Sequence, residues 1–167
     1  MLAPDRPWHE TNGPYFGRPD FEEMIAFADL CQQYAGADPE EFTSPRDHAL
    51  PIVLNETGKV IGTVSWYWED KRTDWRRLGV VVMDETLWGK GIGTEALQLY
   101  TGYMFRETDA LHLDLATYSG NHGMIEAARK AGYQEEARIR RARRWKDGVH
   151  DAVVMGIIRE EWVEAAS

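Results

Sequence analysis

Cysteine is almost missing from this sequence: Cys31 is the only one in 167 residues. A lone thiol excludes an intrachain disulfide, so packing must hold the fold, and the expected compartment is a reducing one, the cytoplasm. Cys31 falls within a helical pattern, where a buried thiol is the expectation rather than a nucleophile. Long apolar runs are missing too. No stretch reaches the length of a membrane span or a signal segment, so neither a membrane role nor a membrane partner is expected. Positive charge is scarce, with 19 Lys and Arg against 28 Asp and Glu, a formal charge of −9 and a pI near 5.0. That balance argues against a general binder of nucleic acid or anionic lipid and is compatible with a cationic substrate such as an amine, or simply with solubility. Repeats and low-complexity tracts do not occur.

What the chain does have is 43% hydrophobic residues. At this length roughly two thirds of the unfolded surface can be buried in one core. A single domain over 1–167 is expected, with an N-terminal loop and helix in 1–50 and the core in 51–162. Prolines 4, 7, 14 and 19 with glycines 13 and 17 read as loop, in which Trp8, Tyr15 and Phe16 need cover. Asp20 is a plausible N-cap, and Phe21, Met24, Ile25, Phe27, Ala28, Leu30 and Cys31 then follow a helical period to about residue 35. Residues 36–46 are broken by Asp38-Pro39 and Ser44-Pro45, with room for a helical turn at 40–42. A hairpin follows over 51–56 and 60–68, then a turn at 71–74 and a third strand over 75–83.

Residues 78–96, LGVVVMDETLWGKGIGTEA, organise the rest. A β-branched run gives a buried strand, glycines at 89, 91 and 93 form a loop, and a helix runs over about 92–107. The unpaired N–H groups of a helix start, together with its dipole, suit a phosphate. The pattern fits neither GxxxxGKS/T nor GxGxxG. A strand over 111–118 then lies parallel to residues 80–83 through a crossover. Ser119, Gly120 and Asn121 cap a helix over 122–131 that stops at Gly132, and residues 133–145 and 152–158 make a final hairpin. Arg138, Arg140, Arg141, Arg143 and Arg144 crowd its first strand, either as a solvated face paired to acids or as a phosphate contact.

The segment from Trp88 to Thr94 resembles the Q/R-x-x-G-x-G/A pyrophosphate loop of the GNAT superfamily of acyl-CoA-dependent N-acyltransferases. Residues 121–133, NHGMIEAARKAGY, resemble its NxxxIxxxxKxGF segment at Asn121, Ile125, Lys130, Gly132 and Tyr133. The tail to Trp162 looks like the branch that includes ribosomal-protein N-terminal acetyltransferases. The resemblance covers about 50–162 and implies an α/β (α+β) fold. In it a mixed, mostly antiparallel twisted sheet has one parallel pair at the CoA site and helices on both faces. It further implies acetyl transfer from acetyl-CoA to a primary amine, with no metal. The acceptor is a small molecule or a protein N-terminus.

Carried over by position, Val81, Val82 and Met83 hold the pantetheine arm and acyl carbonyl through their backbone. The amides of Gly89, Lys90, Gly91, Ile92, Gly93 and Thr94 hold the pyrophosphate, and Asn121 contacts the arm. Three positions depart from the pattern: Trp88 replaces Gln or Arg, Ala128 replaces a thiolate-protonating tyrosine, and Arg77 replaces a basic carboxylate. The catalytic groups are therefore unknown.

Weak candidates for the base are Glu69, otherwise an exposed turn acid, and Asp114, otherwise ion-paired with an arginine of 138–144. Tyr118 or Ser119 could supply the acid. Trp66, Trp68 and Trp75 form either an acceptor wall or sheet packing against the N-terminal helix. The usual first strand and helix are missing from the front, or the start lies upstream; an exposed sheet edge would then invite a homodimer. The alternative function is a CoA-binding sensor or inactive module, and a third is an anion-binding scaffold unrelated to CoA.

Overall fold

Period-two and β-branched runs form six strands in the computed structural model, which describes residues 7–11 and 49–162. Helix α1 (Trp8–Thr11) replaces the loop expected there. Pro7 just before it has the fixed φ and missing N–H that a first helical turn tolerates. Trp8 finds its cover, buried and stacked on His9 at 3.8 Å. The helix expected over 20–35, with Cys31, and the turn at 40–42 lie outside the described residues.

β1 (Ala49–Leu54), β2 (Lys59–Asp70) and β3 (Trp75–Val82) form an antiparallel meander. Helix α2 (Ile92–Glu107), β4 (His112–Tyr118) and helix α3 (His122–Lys130) follow. The hairpin of β5 (Gln134–Trp145) and β6 (Gly148–Ile158) ends the sheet. Its order is β1-β2-β3-β4-β6-β5, and β3 with β4 is its parallel pair. This is the mixed sheet expected from the sequence.

One sheet face carries Val64, Trp66, Leu78, Leu113, Leu115, Val153 and Met155. It shares a single core cluster with Leu97, Tyr100 and Met104 of α2 and Ile125 and Ala128 of α3. Both of these helices therefore cover that face.

The three tryptophans do not form one wall. Trp66 and Trp68 meet edge-on at 5.1 Å on the core side, with the Arg76 guanidinium 4.4 Å over Trp68, so the cation they hold is the protein's own. Trp75 points to the opposite face, where it bonds Asp114.

The far end of α2 is tied down by Arg159. Its guanidinium donates to the carbonyls of Phe105, Thr108 and Ala110 at 2.7, 2.6 and 2.8 Å.

Candidate active site

The loop between β3 and α2 leaves a helix start open. At its base Asp84 accepts from the Thr86 hydroxyl (2.6 Å), the Thr86 amide (3.2 Å) and Lys59 Nζ (3.1 Å). These bonds, the Thr86 hydroxyl first, bring its carboxyl down to about 2 and cap a short turn at Glu85–Leu87. Trp88, at the Gln or Arg position, folds its indole back and donates to the Val82 carbonyl at 2.8 Å.

Gly89 and Gly91 then take φ of 74° and 86°, left-handed values that cost other residues about 1–2 kcal/mol. Nothing lies within 4 Å of where a Cβ on either would sit, so the backbone there borders open space. Gly91 is the N-cap of α2 and gives it no side-chain bond. The first intrahelical bond runs from Glu95 N–H to the Gly91 carbonyl at 2.9 Å. The N–H groups of Ile92, Gly93 and Thr94 therefore have no intrahelical acceptor and, with the helix dipole, make an anion cradle. By contrast Asn121 caps α3, as expected: its Oδ1 accepts from Met124 N–H at 3.1 Å.

The cradle sits at the mouth of a gap. β3 and β4 pair only at Arg76 with Leu113 and Arg77 with Asp114, and the later parts of both strands part company. Asn121 N–H donates to Tyr118 O at 2.9 Å, which places Asn121 at the opposite lip. Met83 N–H donates to Ile61 O at 2.8 Å, which fixes the phase of β3. The backbone groups of Val81 and Met83 thus face β2, and those of Val80 and Val82 face the gap. Of the three predicted strand contacts, only Val82 borders the gap, and its carbonyl is taken by Trp88. Val80 was not predicted.

The gap is closed at its other end by a polar cluster on the face away from α2 and α3. Arg77 donates to Asp114 Oδ1 at 2.7 Å and Oδ2 at 2.9 Å, Trp75 Nε1 donates to Oδ2 at 2.9 Å, and Arg77 Nη1 reaches Glu69 at 2.7 Å. The Asp114 side chain is 0% exposed. The bonds from Asp114 raise Arg77 above the ordinary arginine value despite its partial burial.

The partner expected for Asp114, an arginine of 138–144, is thus replaced by Arg77. Register sets Arg77 beside it, whereas β6 separates β4 from β5. Glu69 is likewise no free turn acid. Asp114 is buried and gives three acceptor sites to Arg77 and Trp75, whereas Glu69 takes a single bond from Arg77 and keeps its other oxygen open, its side chain being 35% exposed.

Ala128 is fully buried and offers no hydroxyl. Ser119 Oγ accepts from Asp151 N–H at 3.0 Å, and Tyr118 packs edge-on against His150 at 5.2 Å. Sequence reasoning missed two groups. Tyr67 lies opposite Arg77 in β2, its hydroxyl raised by burial with Arg77 opposing, and so remains a neutral donor. His150 stands next to Tyr118, and a single histidine carries no pattern by which to find it.

A strand, a glycine-entered helix without a side-chain cap and a parted parallel pair together give an anion cradle at the mouth of a backbone-lined gap. The model of the Acetyltransferase (GNAT) domain matches residues 14–134, more than half of the chain, and the chain belongs to that family. GNAT acetyltransferases move acyl groups from acetyl-CoA.

The Uncharacterized N-acetyltransferase p20 of Bacillus licheniformis is 23% identical over 111 residues. The match spans 66% of this chain and 62% of that protein's length. Among solved structures, a GNAT-family acetyltransferase from Bacillus anthracis superposes with a TM-score of 0.69 at 15% identity, over 92% of this chain and 86% of its own. The ribosomal-protein-alanine N-acetyltransferase of Brucella melitensis gives 0.64 at 21% identity, over 94% and 91%. RimL, a ribosomal L7/L12 alpha-N-protein acetyltransferase solved with coenzyme A, gives 0.62 at 16%, over 89% and 76%. At such identities the structures show a shared fold. No described helix is long and apolar enough to cross a membrane.

Proposed function

We propose that this chain transfers an acetyl group from acetyl-CoA to a primary amine, a protein N-terminus or a small amine, by direct attack on the thioester. One observation carries the reading: the uncapped start of α2 lies at the mouth of the gap between β3 and β4. The amides of Gly89, Lys90, Gly91, Ile92, Gly93 and Thr94 would hold the pyrophosphate. The backbone of Val82, with Val80 beside it, would line the pantetheine arm, while Val81 and Met83 keep the strand in the sheet. Asn121 forms the other lip.

Acetyl-CoA supplies the activated thioester, and no metal takes part. The amine arrives mostly protonated and sheds its proton through water or to Glu69, which holds one bond from Arg77 and is 35% exposed. Nitrogen then bonds the acyl carbon as the carbon–sulfur bond breaks, and coenzyme A leaves as a thiolate that takes up, through water, the proton released from nitrogen. In this proposal residues 1–167 work as one cytoplasmic domain. The outer edge of β1, unpaired among the described residues, is open to a second copy; a monomer mass by light scattering would remove the dimer.

A CoA-binding sensor is the second reading, favoured by the engaged carboxylates and by Ala128. Calorimetric titration with acetyl-CoA, beside a thiol-release assay over peptides and small amines, separates the two. Binding with release supports the transferase, binding without release on any acceptor supports the sensor, and no binding removes both.

A further inference from the structure

We infer that the arginines of β5, the edge strand two places from β4 on the side away from β3, form a docking strip for acidic polypeptide, so that the acceptor is a protein N-terminal segment carrying carboxylates. This rests on the transferase reading and gives it a substrate class. β5 holds five arginines against two glutamates in a chain of net charge −9. It is also the outermost strand, so its outer backbone edge has no neighbour among the described residues.

Not all five cations are available. Arg138 is held by Glu135 at 2.7 Å and by Asp151 at 3.5 Å. The guanidinium groups of Arg140, Arg141 and Arg144 have no hydrogen-bonded partner among the described residues, and all three residues are exposed; Arg140 alone of them feels the charge of Asp151.

The backbone aims this group. Register slips between Ile139 and Arg143, and Arg141 takes a left-handed φ of 57°. A bulge of this kind bends an edge strand and redirects its side chains. Asp151 fixes it by accepting the Arg141 N–H at 2.9 Å. The same residue fastens the bulge to the site: Ser119 N–H donates to Asp151 O, and Asp151 N–H to Ser119 Oγ, both at 3.0 Å. Ser119 is two residues from Asn121 at the lip.

Three cations along a strand edge unpaired among the described residues, linked to the lip through Asp151 and Ser119, match an extended acidic segment, whose backbone can pair with the edge while its carboxylates meet the arginines. A small amine carries no carboxylates to meet them. A nucleic acid would bring many phosphates to a chain of net charge −9, whereas a short acidic segment brings only a few charges.

The test is fluorescence anisotropy of labelled peptides on the full chain with coenzyme A present, using peptides with a shared N-terminus followed by Glu, Gln or Lys. The Glu peptide is expected to bind roughly tenfold more tightly than the Gln peptide at low salt, from three modest exposed pairs combined. That advantage should vanish above roughly 0.3 M salt, where screening acts within about 6 Å. The double variant R140Q/R144Q is expected to lose it. K71Q/R72Q, the same charge change at the turn between β2 and β3, is expected to keep it.

Equal affinity for Glu and Gln peptides, loss of the preference in the control variant, or tighter binding of an RNA oligonucleotide through the same arginines would each overturn the strip. Thiol release is read separately. Release without charge preference keeps the transferase and removes the strip; charge preference without release on any peptide keeps the strip and removes the transferase.

Discussion

At the closed end of the β3–β4 pair Asp114 accepts three hydrogen bonds and exposes no side-chain surface, whereas at the open end α2 begins with three backbone N–H groups that no residue of the helix accepts. The two ends are built from opposite choices. One commits long charged and aromatic side chains to each other and fixes where the strands touch; the other uses glycine, withholds a cap and leaves backbone donors at the surface. On the proposed function the first serves stability and the second ligand capture, so substitutions at the two ends should separate folding from binding.

The largest effect is expected at the closed end. Arg77→Met leaves a buried carboxylate uncompensated, which should cost about 3–5 kcal/mol, read as a lower urea midpoint. Adding Asp114→Leu should recover most of that loss, because no charge is then stranded. A single variant as stable as the wild type would show that the pair is not what holds this end.

At the open end, Gly91→Asp places a carboxylate against the anion cradle. The KM for acetyl-CoA should rise about tenfold, while stability falls by only about 1 kcal/mol, since Asp tolerates a left-handed φ better than most residues. An unchanged KM would mean that the phosphate is held elsewhere.

Asn121→Ala removes the cap that makes α3 unlike α2 and should cost about 1 kcal/mol, read by the same urea titration. A cofactor role for Asn121 predicts a KM rise as well.

The smallest effect is a pH dependence. The Asp84 carboxyl is lowered from 3.8 to about 2, so what it contributes is present above about pH 4 and lost as pH falls through about 2. The stability difference between wild type and Asp84→Asn should therefore shrink across that window; a constant difference would mean that the bonds to Thr86 and Lys59 add nothing.

The open end was largely legible in the sequence. Glycines 89 and 91 after a β-branched strand, and Asn121 before a helix, are local signals whose structural meaning travels with the residue type. The closed end was not. Asp114 and Arg77 are distant in sequence, and only the register of a parallel pair brings them together, so the arginine-dense strand looked the better partner.

The direction of the β3 backbone groups was hidden for a related reason. Which of Val80, Val81, Val82 and Met83 turns toward the gap depends on a one-residue phase set by pairing with β2, and four successive apolar residues do not encode it. Trp75 and Trp66 read alike as tryptophans, yet the alternation that puts them on opposite faces decides which is core and which is a hydrogen-bond donor.

Arg159 gives α2 a further property. With the carbonyls of Phe105, Thr108 and Ala110 gripped by one guanidinium, and Trp162 packed over Phe105, the distal end of the helix is clamped as well as its core face, which Leu97, Tyr100 and Met104 bury. The first turn alone is left without such anchors, so the stiffness with which it presents its N–H groups is set by core packing behind it and by residues beyond the last strand.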